Sequence, residues 1–224
     1  ALMAAHGEIT PMPDFAVFSD TQAEPPHVYE WLKWLETKLP FPVHYVTKGN
    51  LTEESLKVKI RKADGGERVN NLIPFFGVMP DGKKVAAIGR ISRGEKNVKV
   101  IQWIGISWDE VQRMKDSRFP WIEHRFPLIE TQTMRHQCIS WMKQNGYPEP
   151  PRSACYYCPF HSDDEWRKLR DENPELFQKA IDFDKDLRRV HKNHNKRMKM
   201  EVYLHNSCEP LGEVDFDSDE DKGQ

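Results

Sequence analysis

The sharpest chemical signal in the sequence is Cys155-Tyr156-Tyr157-Cys158, followed at once by Pro159. A CxxC turn holds two thiols close together and aims backbone amides at the sulfurs, which suits a metal ion, an iron–sulfur cluster or a redox dithiol. Cys138 and Cys208 bring the count to four cysteines. Zinc and a 4Fe-4S cluster are both chemically reasonable for such a set, and spacing alone does not separate them. His161 is a further candidate ligand. Cys208 reads equally as a ligand, a free nucleophile or a core residue.

Two other segments carry oxygen and charge. Ser19-Asp20-Thr21 closes a short apolar run, Phe15–Phe18. In α/β sheets, ligands bind just past the carboxyl ends of strands, and a carboxylate beside two hydroxyls there suits a ribose, an adenine edge or a magnesium ion. The same residues also suit a helix cap. Gly105-Ile106-Ser107-Trp108-Asp109-Glu110, with Arg113 one turn on, places a small residue before a helix start, where backbone and phosphate can approach. Asp109 and Glu110 fit that helix start by dipole alone, and Arg113 can grip a phosphate or pair with Glu110.

These groups need a frame. Gly7 closes a first short helix, whose beginning the sequence leads one to expect upstream of Ala1. Phe15–Ser19 reads as a strand buried on both faces. Pro25 and Pro26 open a helix to about Lys38, with Val28, Trp31, Leu32 and Leu35 on one side. Pro42–Val46 is the next strand, and Asn50 or Thr52 caps a helix through about Lys62. Strand, helix, strand, helix with short joints predicts βαβ units and a mainly parallel sheet with flanking helices. Leu72–Val78 and Lys84–Ile88 flank Pro80-Asp81-Gly82 as a hairpin. Val98–Ile106 is strand-like, and a helix from Trp108 to about Met114 would be capped by Ser107 with Glu110 completing a capping box. Thr133–Asn145 is helical up to Gly146. Ser162 starts another helix, and Pro174–His191 is amphipathic, with Phe177, Ala180, Ile181, Leu187 and Val190 on its apolar side.

Composition narrows the class. The 224 residues carry 38% hydrophobic and 11% aromatic residues, which is globular rather than disordered. No run of about eighteen apolar residues occurs, so no spanning helix or secretory leader is expected, and four cysteines in such a chain point to a reducing cytoplasm. Residues 213–224 hold six acids against one lysine, an expected disordered tail, whereas Lys185–Lys199 holds seven lysines and arginines against one aspartate. That basic stretch is either solvated surface or a nucleic-acid contact.

Taken together the motifs resemble the 3′-phosphoadenosine-5′-phosphosulfate (PAPS) reductase family of the PP-loop, adenine-nucleotide alpha-hydrolase-like superfamily. Phe18-Ser19-Asp20-Thr21 with Glu24-Pro25 is similar to the family's Asp-Thr-Gly…Pro-Glu strand end. Gly105-Ile106-Ser107-x-Asp109-Glu110-x-x-Arg113 resembles its Gly-(Leu/Ile)-Arg-x-(Asp/Glu)-(Glu/Gln)-Ser-x-x-Arg segment, and Phe126-Pro127-Leu128-Ile129-Glu130-Thr131 its Pro-Leu-x-x-Trp-Thr segment. The resemblance extends over nearly the whole chain, in particular to reductase-like proteins often encoded by bacteriophages and prophages. It implies a three-layer nucleotide-binding α/β domain over residues 1–130, truncated at its N-terminus, then a helical region with the cysteine site over 131–212 and the acidic tail over 213–224.

The resemblance further implies an adenine-nucleotide-dependent enzyme in the cytoplasm of a bacterial or phage-infected cell. Its chemistry would be sulfonucleotide reduction, or adenylation linked to sulfur transfer or nucleic-acid modification. An ATP or PAPS-type nucleotide, with or without Mg, would be lined by Ser19, Asp20, Thr21, Gly105, Ser107, Glu110 and Arg113. A 4Fe-4S cluster, or alternatively zinc, would sit on Cys138, Cys155, Cys158 and Cys208, with an electron or sulfur donor protein as partner. The superfamily's Ser-Gly-Gly-x-(Asp)-Ser phosphate loop and the reductases' Glu-Cys-Gly-x-His motif are not in this sequence, which leaves Cys208 as the only, weak, candidate nucleophile. The short run through Arg90-Ile91 also lacks a segment that relatives carry. The competing reading is a zinc-stabilised module that contacts nucleic acid through Lys185–Lys199.

Overall fold

The computed structural model describes residues 1–47, 49–61, 64–69, 72–73, 75–78, 81–82, 84–87, 100–152, 154–195 and 200–217, with 75–78 and 84–87 as backbone. The Arg90-Ile91 junction, Lys196–Lys199 and the acidic residues beyond 217 lie outside them. Contacts divide the chain into two units that interleave in sequence. The first comprises Ala1–Asp14, Trp34–Phe41 and Ser92–Arg152. The second comprises Phe15–Lys33, Pro42–Ile91 and Ser153–Gln224. The fold is mixed α/β, with short parallel and antiparallel strand pairs among helices.

In the first unit, α1 (Leu2–Ala5) ends at Gly7, whose φ of +76° is the left-handed turn that favours glycine. Strand β7 (Val100–Trp103) pairs in parallel with β8 (Ile122–Arg125), and Ile104 N–H continues the ladder onto Arg125 O at 2.9 Å. The helical turn predicted at Trp108 is a 3-10 turn (Trp108–Arg113) rather than an α-helix. No capping bond from the Ser107 side chain closes its start, so the expected capping box does not form. Two helices, α4 (Pro127–Glu130) and α5 (Arg135–Gln144), complete the unit. His6 meets Trp141 and Tyr147 edge-on, Trp34 meets Tyr147 edge-on, and Glu8 accepts the Trp141 indole N–H at 2.8 Å.

In the second unit, β1 (Ala16–Ser19) pairs in parallel with β2 (Val43–Val46), and α2 (Pro26–Glu36) begins between them. The parallel pair is as predicted, but β1 is not buried on both faces: Phe15 and Val17 are 49% and 55% exposed. Asn50 caps α3 (Leu51–Leu56) by accepting from Thr52 N–H and Glu53 N–H. This helix stops at Leu56 instead of Lys62, because the β-branched Val58 and Ile60 enter β3 (Val58–Ile60), paired antiparallel with β4 (Glu67–Val69). The predicted hairpin is β5 (Phe75–Val78) with β6 (Lys84–Ala87), and β9 (Glu201–Tyr203) adds to the free edge of β5.

Helix α6 (Asp163–Glu172) starts with a complete capping box between Ser162 and Glu165. Helix α7 (Pro174–His194) buries Val190 and lays Ala180, Phe183 and Leu187 into the core. There they meet Trp166, Tyr157, Val202, Leu204, Leu211 and Phe216. Among the described residues no helix is long and apolar enough to cross a membrane.

Candidate functional site

The end of β1 and the cysteine loop meet inside the second unit. Asp20 N–H extends the parallel ladder onto Val46 O at 2.8 Å, so the chain leaves β1 at its carboxyl end. Thr21 Oγ1 then lies 3.4 Å from Cys155 Sγ and donates to Glu24 Oε1 at 3.3 Å. The Cys155 thiol in turn reaches Glu24 Oε1 at 3.8 Å. Backbone reinforces the junction, since Tyr156 N–H donates to Ala23 O at 3.1 Å. The loop is anchored by Tyr157, 1% exposed, which packs on Phe183 and accepts a hydrogen bond from Thr52.

Burial pushes the Cys155 thiol up to about 11. The negative charges of Glu24 and Cys158 add to the shift, and the Thr21 hydrogen bond opposes it. Cys158 N–H closes the turn on Cys155 O at 2.9 Å, so the two thiols share one tight loop. Cys208 is buried in left-handed backbone, φ +59°, within the turn Leu204–Leu211. Cys138 lies in α5 of the first unit, where burial and Asp109 raise its thiol. Among the described residues no group of three or more His, Cys, Asp or Glu side chains is arranged to hold a metal ion. The CxxC turn alone fits two ligands of a cysteine-held centre.

Asp20 is better anchored than its sequence context suggests. Its Oδ1 accepts both Gln22 N–H at 2.8 Å and the Tyr29 hydroxyl at 2.7 Å. Burial, the bond to Asp20 and its negative charge push the Tyr29 hydroxyl up to about 12. Tyr29 sits on α2 and was hidden among residues that read only as a helix side. Its spacing from Asp20 carries no motif, and nothing short of the fold would have found it. Ser19 ends β1 with an exposed side chain.

The Gly105 segment lies in the first unit. A Cβ at Gly105 would meet nothing within 4 Å, so packing does not demand a glycine there. Ser107 is buried. Asp109 accepts Arg135 N–H at 2.9 Å and is held below the usual carboxylate range by that bond first, so it caps α5. Glu110 and Arg113 pair with each other. Of the basic stretch, Arg188 pairs with Asp184 and Arg189 with Asp186. A cavity of about 330 Å³ lies beside them, lined also by His191, Lys192 and Glu201.

The chain matches no protein-family model, no curated protein and no solved structure in the comparisons made.

Proposed function

We propose that this chain is an adenine-nucleotide-dependent enzyme of the PAPS reductase-like kind, with the nucleotide at the carboxyl end of β1 and thiol chemistry beside it. The observation that carries the reading is the 3.4 Å approach of Thr21 Oγ1 to Cys155 Sγ. Two motifs that the resemblance links to nucleotide and to cluster, 134 residues apart, form one local site. Strand ends of parallel pairs are where α/β proteins bind ligands, which supports the assignment of Asp20 and Thr21.

The proposed three-layer PP-loop-like arrangement and a cytoplasmic setting belong to the same reading. So does a 4Fe-4S cluster or zinc with Cys155 and Cys158 as ligands. When bound, such a centre would supply electron transfer or Lewis acidity.

Binding of ATP, AMP and PAPS to the purified chain tests the proposal by equilibrium dialysis. Micromolar binding of one of them, weakened by Thr21→Val, is the expected result. Absence of binding by all three would overturn it. Iron, zinc and sulfide analysis of anaerobically purified protein, repeated on Cys155→Ser, tests the centre, and metal content unchanged by that substitution would remove Cys155 from it.

A further inference from the structure

We infer that Asp20 reads the ribose of the bound nucleotide, that Tyr29 orients it, and that the site therefore takes nucleotides with a free 2′,3′-diol. This rests on the nucleotide-binding reading above and narrows it.

The argument is one of donors and acceptors. Both hydrogen bonds to the Asp20 carboxylate, from Gln22 N–H and Tyr29 O–H, fall on Oδ1. Oδ2 has no hydrogen-bond partner, and the carboxylate has no ion pair, among the described residues. Several of the donors around it are already engaged. Gln22 N–H and the Tyr29 hydroxyl are used on Oδ1, Asp20 N–H is used on Val46 O, and Gln22 Nε2 donates to Thr47 Oγ1 at 3.3 Å. Gln22 itself is held at φ +58°, a left-handed backbone that a residue other than glycine adopts at a cost. The strand end thus presents a fixed, negatively charged, acceptor-only oxygen.

An adenine edge sets a donor beside an acceptor, and Oδ2 answers only the donor. A ribose hydroxyl asks for an acceptor alone and is satisfied by Oδ2. A phosphate on either ribose hydroxyl removes the donor and brings like charge against the carboxylate, an interaction that excludes rather than binds. Tyr29 is a positioning residue. By occupying Oδ1 it turns Oδ2 toward the ligand.

The test uses the whole chain with AMP and adenosine 3′,5′-bisphosphate, which differ only in the 3′-phosphate, and with inosine monophosphate. Wild type is expected to prefer AMP over the bisphosphate by about ten-fold or more, the scale of one like-charge contact. Asp20→Asn should collapse that preference to about three-fold or less while weakening AMP and inosine monophosphate equally. Tyr29→Phe should weaken AMP by about three- to ten-fold with an unchanged melting temperature. Equal binding of AMP and bisphosphate by wild type overturns the inference, as does a preference that survives Asp20→Asn. An Asp20→Asn penalty seen with AMP but not with inosine monophosphate means that Asp20 reads the amine, and overturns it too. No binding of AMP or ATP by wild type overturns the underlying reading as well.

Discussion

Asp184 should be the most sensitive polar residue of the second unit. It is 0% exposed on α7, and its two oxygens accept the backbone N–H groups of Leu204 and Leu211, each at 3.0 Å, while Arg188 pairs with Oδ2. One carboxylate thereby fixes both ends of the turn that carries His205 and Cys208. Asp184→Asn keeps the shape but replaces one acceptor by an NH2 group, which faces the Leu204 N–H in one orientation and both the Leu211 N–H and the guanidinium in the other. Leaving a buried N–H unpaired costs about 1–3 kcal/mol. Breaking a buried ion pair costs about 3–5 kcal/mol, less here because Arg188 is 21% exposed and can turn to solvent. The expected loss is about 3 kcal/mol, a large share of the ~5–15 kcal/mol that holds a domain together. Urea unfolding followed by tryptophan fluorescence reads it, since Trp166 sits in the same core. Arg188→Met leaves both backbone bonds in place and should lose about half as much or less. A loss below about 1 kcal/mol for Asp184→Asn, or an equal loss for both variants, would refute the claim that the backbone bonds dominate.

Burial holds the His191 imidazole down near 4, from its ordinary 6.5. The unfolded chain therefore binds a proton at His191 in the window between 6.5 and 4 while the folded chain does not, so stability is full above 6.5 and falls as pH drops to 4. About 3 kcal/mol should be lost across that window, and His191→Leu should flatten the dependence in urea melts taken at successive pH values. Ser55 is 1% exposed and its hydroxyl has no partner among the described residues, so Ser55→Ala should leave the melting temperature unchanged or raise it. A clear drop would reveal a bond to that hydroxyl. Gly105→Val should leave the fold within about 0.5 kcal/mol, because its side chain enters open space. A clear drop in melting temperature would show that packing does demand a glycine there.

Local rules were readable wherever one residue type dictates one geometry. The Ser162–Glu165 box, the Asn50 cap, the glycine turns at 7 and 146, and the apolar stripe of α7 all follow from nearest-neighbour chemistry. Where packing decides, the sequence was mute. Strand β8 is Ile-Glu-His-Arg and β9 only three residues, neither with enough apolar alternation to announce itself, and each exists because a partner strand supplies the ladder. The 3-10 turn at Trp108 departs from the predicted helix because Asp109 is drawn to cap α5 and Glu110 to Arg113. For the site, Asp20, Thr21, Cys155 and Cys158 were each visible as motifs. That Thr21 touches Cys155, and that Tyr29 holds Asp20, are facts of the tertiary fold that no spacing encodes.

Strand β9 closes onto β5 with Phe76 opposite Tyr203, and the core around Trp166 is completed by Leu204, Leu211 and Phe216. During synthesis, the early strands of the second unit therefore emerge from the ribosome long before the residues that complete them. The whole of residues 92–152, which belong to the other unit, intervenes. Contacts of such long sequence separation fold slowly and leave unpaired edges exposed meanwhile. The first unit can gather as soon as its last segment is made, whereas the second must wait until residues 202–216 follow. A ribosome stalled before Val202 would hold a chain whose strand β1 is already out but whose cysteine loop has no finished core to rest on.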